Sequence, residues 1–206
     1  MTVQVVVDGV TKVFNRRVIF DNISATVEPG QTLLVTGKNG SGKSTFLKII
    51  AGVLSPTSGQ VRITPQEGRG VSVFDLIGFV SPYLNLYDEF TARENLLFAL
   101  SVRPTPVSSA GIDAILDRVG LSRFKETPAR FYSSGMKQRL KYAFALVHRP
   151  PLLMLDEPTS NLDDEGKMLV REIMEEQRSH GSLIVATNEH GEITRVDTSV
   201  RLGTDG

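Results

Sequence analysis

The apolar positions in the first thirty residues follow the two-residue period of β-strands. Residues 3–7 are rich in β-branched valine, and residues 23–27 alternate apolar with small or polar side chains. A half-buried strand shows this alternation because successive side chains point to opposite faces of the sheet. The Glu-Pro-Gly segment at residues 28–30 is typical of a turn. We therefore predict short antiparallel strands over residues 1–30.

After this turn the pattern changes to short apolar runs. Residues 32–36 form one run, glycines follow, and a helical pattern extends over residues 43–51. Further uninterrupted runs cover residues 77–80, 152–155 and 183–186. Strands that are buried on both faces have such runs, and a strand, a loop and a helix in this order begin a parallel α/β unit. The predicted fold class is therefore α/β, with a mainly parallel sheet.

A mostly helical insert is predicted between two of these runs. A capping-box pattern at Thr91 starts the first helix, and Pro104 and Pro106 end it. Ser109 is predicted to cap the second helix, and a third helix is predicted over residues 133–148. No Gly/Ser-rich linker divides the chain, so we predict a single domain over residues 1–206. Its predicted parts are a β-subdomain at about residues 1–30, a core at about residues 31–80 and 150–206, and the helical insert at about residues 81–149.

Composition excludes several classes of function. The 206 residues include 23 basic and 23 acidic side chains, and this zero net charge argues against nucleic-acid binding by bulk charge. The absence of cysteine excludes disulfides, thiol nucleophiles and Cys-ligated zinc. No stretch approaches the roughly 20 apolar residues of a membrane-spanning helix, and the N-terminal run lacks the basic leader of a secretory signal. We therefore expect a cytoplasmic protein that reaches a membrane only through a partner.

The strongest chemical signal is the segment GKNGSGKS at residues 37–44. It matches the phosphate-loop pattern G-x-x-x-x-G-K-[ST] and lies between a predicted strand and a predicted helix, as the motif requires. Glycines let backbone N–H groups approach phosphate oxygens, Lys43 supplies a full positive charge, and the Ser44 hydroxyl suits Mg²⁺. The alternative is an ordinary glycine-rich turn. The predicted nucleotide-binding residues of this segment are Gly37, Asn39, Gly40, Ser41, Gly42, Lys43, Ser44 and Thr45.

Two carboxylates, Asp156 and Glu157, follow the apolar run at residues 152–155. Ligands of open parallel sheets bind beyond the carboxyl ends of the strands, so both side chains should reach the phosphate loop. Asp156 would then hold Mg²⁺ together with Ser44. Glu157 would accept a proton from the water that attacks the γ-phosphate. The alternative is a strand that ends in a solvated acidic turn.

Together these motifs resemble the nucleotide-binding subunit of an ATP-binding cassette (ABC) transporter, over about residues 6–186. The segment YSSGM at residues 132–136 resembles the family's signature motif, and SNLD at residues 160–163 resembles its D-loop. Phe14 stands where the family has an aromatic side chain that stacks on adenine, although a core aromatic is the alternative. The short length and compact C-terminal part resemble small exporter subunits, including the haem-exporter type of cytochrome c maturation.

The resemblance implies a working unit larger than this chain. In the family, the signature residues, here Ser133, Ser134 and Gly135, bind the γ-phosphate of ATP held by a second cassette. The resemblance implies that the chain binds ATP with Mg²⁺ and that two cassettes form a head-to-tail homo- or heterodimer. It also implies separate transmembrane permease subunits, which dock beside the helical insert and residues 82–88. An ordinary serine N-cap is the alternative interpretation of the signature serines.

Three positions depart from the family pattern. Pro82 stands nearest the usual glutamine, and Ser81 or Asn85 would have to replace its oxygen. Met136 ends the signature where glutamine is usual. Asn188 stands where the family has a histidine that contacts the γ-phosphate, and asparagine can donate a hydrogen bond but cannot carry a proton. A solvated position is expected for His190, while His148 and His180 are interpreted as partners of helix dipoles.

These departures leave two hypotheses for the chemistry. In the first, the chain is a transport-coupled ATP hydrolase in which Glu157, Lys43 and Asn188 act at the phosphate. In the second, it is an ATP-gated clamp with little hydrolysis. A non-transport ABC ATPase that acts on DNA or ribosomes is a further alternative. Such proteins usually have two cassettes or a long coiled coil, which 206 residues do not accommodate.

Overall fold

The computed structural model describes residues 1–67, 70–103, 108–188, 193 and 195–203. Two long strands, β1 (Val3–Phe14) and β2 (Arg17–Val27), form a hairpin. A third strand, β4 (Ser58–Pro65), pairs with the other edge of β1, so the antiparallel sheet has the order β2-β1-β4. The predicted β-subdomain was therefore too small, because β4 belongs to this sheet and not to the core.

The second sheet is parallel, as predicted. Among the described residues it has the strand order β5-β6-β7-β3-β8. The central strand registers are continuous, for example Leu155 of β6 beside Val185 of β7. Its strands are β3 (Thr32–Thr36), β5 (Ile77–Val80), β6 (Leu152–Asp156), β7 (Ser182–Ala186) and β8 (Thr198–Arg201).

Helices cover the edges and faces of this sheet. They are α1 (Lys43–Ile50), α2 (Val73–Leu76), α3 (Ala92–Ser101), α4 (Ser109–Arg118), α5 (Ser134–Leu146) and α6 (Asp164–His180). The helices α3 to α5 lie between β5 and β6 in the chain, so the mainly helical insert is present. The predicted fold class, α/β with a phosphate-loop core, is confirmed.

The apolar runs are continuous because each central strand contributes to two cores. Leu152 and Met154 of β6 pack on the side of α1 and the antiparallel sheet. Leu153 and Leu155 pack on the opposite side, against α3 to α6. All four are fully buried. The carboxyl end of β6 is thereby held rigidly between two packed layers, and the acidic pair follows there.

Helix starts agree with the sequence except at α4. Thr91 accepts a hydrogen bond from the Glu94 N–H at 3.1 Å, and Glu94 accepts one from the Thr91 N–H at 2.8 Å, which is the predicted capping box. At α4 the cap is Ser108, which accepts from the Gly111 N–H, and Ser109 is the first helical residue. Adjacent serines gave the pattern two candidate caps one residue apart. Pro104 and Pro106 lie outside the described residues.

Candidate functional site

The phosphate loop connects β3 to α1, and its backbone conformation favours glycine at three positions, two of which also lack space for a Cβ. Gly37, Gly40 and Gly42 have φ values of 147°, 80° and 98°. A Cβ on Gly42 would lie 2.5 Å from Cγ2 of Ile19, and a Cβ on Gly37 would lie 2.4 Å from the Leu202 carbonyl oxygen. The antiparallel sheet therefore packs directly against the start of α1.

The N-terminus of α1 has no side-chain cap, since its N-cap residue is Gly42. The first N–H groups of a helix have no partner within the helix, and they favour an anion. Ser44 and Thr45 lie in this first turn. The Ser41 hydroxyl in the loop is buried and has no hydrogen-bond partner among the residues that the structure describes. This set of donors fits a phosphate group.

Lys43 is the centre of the cluster, and its side chain is only 6% exposed. Its ammonium donates to the Gly37 carbonyl at 3.0 Å and to the Asn188 amide oxygen at 2.6 Å. It also lies 3.3 Å from Glu157 Oε1. Residues from three separate strand ends thus converge on one cation, as the parallel topology predicts.

Asp156, the last residue of β6, is fully buried, and within the described part of the chain neither of its carboxylate oxygens has a hydrogen bond of ordinary geometry. Burial raises the pKa of this carboxyl, while the nearby Ser44 hydroxyl acts in the opposite direction. A buried carboxylate with unsatisfied oxygens is costly unless a cation meets it. Asp156 and Ser44 therefore fit the predicted Mg²⁺.

The described residues contain no group of three His, Asp or Glu side chains that could hold a metal by themselves.

Glu157 adopts φ 50°, in the left-handed region, directly after the strand. Its N–H donates to the Ala186 carbonyl at 2.8 Å, so the bend is anchored to the end of β7. The next residue is also anchored, because the buried Tyr142 hydroxyl of α5 donates to the Pro158 carbonyl at 2.7 Å. These contacts hold the Glu157 carboxylate beside Lys43 instead of in a solvated turn.

Asn188 follows β7 and bridges two residues of the phosphate loop. Its amide oxygen accepts from Lys43, and its amide nitrogen donates to the side-chain oxygen of Asn39. Asparagine can do both at once because its amide carries an acceptor and donors. His190 lies outside the described residues.

Phe14 ends β1 at the hairpin turn, where Asn15 and Arg16 have φ values of 46° and 67°. Its side chain is 43% exposed, which does not agree with a core aromatic. The Lys12 ammonium lies 4.6 Å from the centre of its ring. Phe14 is therefore available as a stacking surface.

The signature residues belong to a different cluster. Ser133 is the N-cap of α5 and accepts from the Met136 N–H at 3.2 Å, while Ser134 and Gly135 lie in the first turn. A Cβ on Gly135 would be 3.7 Å from the Asn161 carbonyl oxygen, so this helix start faces the D-loop. The N-cap role of Ser133 is the ordinary interpretation that the sequence also allowed.

Arg139 of α5 joins the signature helix to the start of α6. It lies 3.3 Å from both Asp163 and Glu165, and Asp163 caps α6 through the Gly166 N–H at 2.8 Å. The hydrogen bond from the Gly166 N–H, and to a smaller extent the charge of Arg139, lower the pKa of Asp163.

The segment after β5 contains Ser81 and Asn85, one of which was expected to replace the side-chain oxygen of the usual glutamine. The carbonyls of Ser81 and Pro82 accept from the Lys141 ammonium at 3.3 and 3.0 Å, and the Ser81 hydroxyl accepts from the Tyr83 N–H. Asn85 lines a polar cavity of about 370 Å³ together with residues of the signature helix.

A second cavity, of about 300 Å³, lies between α1, β5 and α5, and we call it the apolar groove. Phe74 and Tyr83 line it and are 61% and 66% exposed. The Lys48 ammonium lies 4.3 Å from the centre of the Tyr83 ring. Leu84 and Leu86 are partly buried, so this segment combines core packing with exposed aromatic surface.

His148 also borders the groove, and its expected role was wrong. Its Nε2 lies 3.1 Å from the Ile77 carbonyl oxygen, and its Nδ1 is buried with no hydrogen-bond partner in the described ranges. Burial, assisted by the charge of Arg103, lowers the pKa of His148 to about 4. A neutral imidazole cannot act as a cationic partner of a helix dipole near pH 7.

Three contacts near the site were missed from the sequence. The Lys12 ammonium contacts the face of the Phe14 ring, Tyr142 anchors the residue after Glu157, and Arg139 links the signature helix to α6. The only sequence signal was for Lys12, a charged residue that continues a row of valines on β1.

None of the helices in the described part of the chain combines the length and apolarity needed to span a bilayer.

Comparison with known proteins gives one family and several relatives. The model of the family described as "ABC transporter" matches residues 20–160. A cytochrome c biogenesis ATP-binding export protein, CcmA of Methylococcus capsulatus, is 35% identical over 193 residues, which is 92% of this chain and 93% of the relative. A lantibiotic transport ATP-binding protein, SrtF of Streptococcus pyogenes, is 36% identical over 88% of this chain and 78% of its own length.

A solved structure supports the same grouping. It is the dimeric structure of an ATP-binding cassette in a post-hydrolysis state, bound to ADP and Pi. It superposes with a TM-score of 0.83 and 25% sequence identity, and the match covers 96% of this chain and 94% of that one.

Proposed function

The chain belongs to the ABC transporter family, and we propose that within it this chain binds and hydrolyses ATP to drive a separate membrane permease. The convergence of Lys43, Glu157 and Asn188 at the start of α1, next to the unsatisfied carboxylate of Asp156, carries this proposal. A phosphate site needs a buried cation and free N–H groups, and hydrolysis also needs a base beside them.

Each residue of the cluster has a role that its contacts support. Lys43 and the first turn of α1 bind the phosphate oxygens, and Asn188 orients Lys43 and Asn39 around them. Ser44 and Asp156 hold Mg²⁺, which neutralises charge on the phosphates when bound. Glu157 accepts a proton from the attacking water as the bond to the γ-phosphate breaks, which leaves ADP and inorganic phosphate. Phe14 stacks on the adenine.

Hydrolysis is favoured over a clamp without turnover because Glu157 is held in place by contacts on both sides of its peptide. The test measures Mg-ATP binding by calorimetry and steady-state phosphate release for the wild type, Lys43→Ala and Glu157→Gln. We expect Lys43→Ala to lose binding. We expect Glu157→Gln to bind normally and to turn over roughly 100-fold more slowly, as for loss of a general base. Equal turnover of wild type and Glu157→Gln would support the clamp.

We propose that two cassettes pair head to tail, so that Ser133, Ser134 and Gly135 of one complete the ATP site of the other. The proposal is supported by their position in a cluster apart from Lys43, and by the dimeric state of the similar cassette bound to ADP and Pi. A two-fold axis then uses each surface twice.

The dimer test uses Glu157→Gln, in which ATP should accumulate uncleaved. Light scattering should show a dimer with Mg-ATP and a monomer without it. Gly135→Asp places a carboxylate at the signature, where a Cβ has room, and should prevent pairing while each monomer still binds ATP. A dimer of unchanged stability in Gly135→Asp would contradict the head-to-tail arrangement.

The apolar groove and residues 82–88 are proposed to receive the permease, which would place this chain at the inner face of the cell membrane. The groove's exposed aromatic side chains support a protein partner. The similar CcmA and SrtF bear names that differ in cargo, export in cytochrome c biogenesis and lantibiotic transport. This difference supports the proposal that the membrane subunit selects the cargo.

A further inference from the structure

Lys12 occupies a position on β1 that the strand pattern reserves for an apolar side chain. Val3, Val5 and Val7 face the core, and Val10 and Lys12 continue this row after an extra residue at Gly9 shifts it from odd to even positions. Lys12 is only 9% exposed. A lysine is rarely buried to this extent unless its ammonium has a specific use.

Two contacts define that use. The ammonium donates to the Ser55 carbonyl oxygen at 2.8 Å, and it lies over the ring of Phe14, 4.6 Å from the ring centre. Ser55 belongs to the segment that follows α1. That segment is also held to β1 by Thr57, which donates through its N–H to the Thr11 carbonyl and accepts from the Val13 N–H. The Lys12 ammonium is therefore fixed by the backbone before it meets the ring.

We propose that Lys12 is a positioning residue for base recognition. It covers one face of the Phe14 ring, holds the ring in one orientation through a cation–π contact, and leaves the opposite face for the nucleotide base. Phe14 stands at the tip of a hairpin and is 43% exposed, so an unsupported ring would lose part of its stacking energy to rotation. The inference rests on the proposed function, because it assigns the support of the adenine platform.

Lys12 and the phosphate-loop residue Lys43 have different roles in this proposal. Lys43 acts on the phosphates, whereas Lys12 should affect only ligands that carry a base. Removing the Lys12 charge should therefore weaken ATP but not a ligand with phosphates alone.

The experiment measures calorimetric Kd values for Mg-ATP and for Mg-tripolyphosphate. The variants are Lys12→Met, Lys12→Arg, Phe14→Ala and the double variant Lys12→Met with Phe14→Ala, each checked for folding by circular dichroism. We expect Lys12→Met to weaken Mg-ATP roughly three- to tenfold and to leave tripolyphosphate unchanged, which matches a typical cation–π contact. Lys12→Arg should restore Mg-ATP affinity, and in the Phe14→Ala background Lys12→Met should have no further effect.

The results distinguish this inference from the function on which it rests. Wild-type affinity for Mg-ATP in Lys12→Met, equal weakening of both ligands, or an undiminished effect in the Phe14→Ala background would each overturn the role of Lys12 alone. A wild-type chain that binds neither ligand would overturn the proposed function, and this inference with it.

Discussion

The side chain of Lys43 is nearly excluded from water, and its neighbours compensate for the burial of its ammonium. A buried ammonium is costly unless acceptors surround it. Here two neutral oxygens and one carboxylate surround it, from Gly37, Asn188 and Glu157. The carboxylate balances the charge, while the neutral oxygens satisfy its remaining protons.

Gly42, like Gly37, should not tolerate substitution by a residue with a side chain. Gly42→Ala combines a left-handed φ of 98° with a contact of 2.5 Å to Ile19. We expect it to lower the free energy of unfolding by about 3 kcal/mol and to abolish nucleotide binding. The matched control is Gly30→Ala, which has φ 78° and open space around the new Cβ. Chemical denaturation should show about 1 kcal/mol for this control, and equal losses in both variants would contradict the packing argument.

Because position 188 is an asparagine in the wild type, kcat should not change with pH through the protonation of an imidazole beside Lys43. In Asn188→His the imidazole would face Lys43, and its protonation would repel that ammonium. We expect kcat of Asn188→His to fall as the pH decreases below about 6.5, the usual imidazole pKa. A kcat profile over this range that is the same in the wild type would contradict a direct contact with Lys43 during turnover.

At the scale of elements, the junction of α5 with β5 should be sensitive to acid. The folded pKa of His148 is about 4, below the unfolded value of 6.5, so the unfolded chain binds the proton more tightly. The contribution of neutral His148 to the free energy of unfolding should therefore be fully present above pH 6.5. It should be lost as the pH decreases towards 4, by about 3 kcal/mol in total.

This prediction is tested with His148→Gln, which keeps a donor for the Ile77 carbonyl. Guanidinium unfolding at pH 7 and pH 4.5 should show a smaller loss of stability in this variant than in the wild type. His180→Gln is the matched control, since His180 lies exposed at the end of α6. An equal loss in all three proteins would show that other groups cause the acid sensitivity.

The central elements could be predicted from the sequence because their pattern has one structural solution. A short apolar run with no polar residue must be buried on both faces, as β6 is. The predictable part of the site follows from this, because Asp156 directly follows such a run and Gly37 directly follows the mainly apolar strand β3. By contrast, β4 contains Gly, Gln and Arg, and only its pairing with β1 defines it. The bridge from Asn188 to Asn39 joins residues 149 positions apart, which no local pattern reveals.

For the whole molecule, the two cores on opposite faces of the parallel sheet leave the apolar groove at their boundary. An exposed apolar surface beside a nucleotide site is suited to transmit a change in that site to a partner. The groove is close to β5 and α1, both of which pack against the strands that carry the site.

Phe74→Asp should separate ATP binding from membrane association. We expect unchanged Mg-ATP affinity for the isolated chain, and roughly tenfold less of it recovered with membranes that contain its permease. Met168→Asp is the control, because Met168 is similarly exposed, at 57%, but lies on α6 away from the groove. Equal membrane recovery of Phe74→Asp and wild type would exclude the groove as the docking surface.

The extra residue of β1 at Gly9 has a consequence for how this molecule can change over generations. Every side chain beyond it owes its side of the sheet to that one insertion. Replacing Gly9, whose φ is 58°, with a residue that restores regular strand geometry at the same length would leave every motif of the nucleotide site intact, yet it would turn Lys12 and Phe14 to the opposite face of the sheet. The hairpin can thus tolerate many substitutions, but the bulge at residue 9 should be nearly invariant among chains that hold adenine in this way.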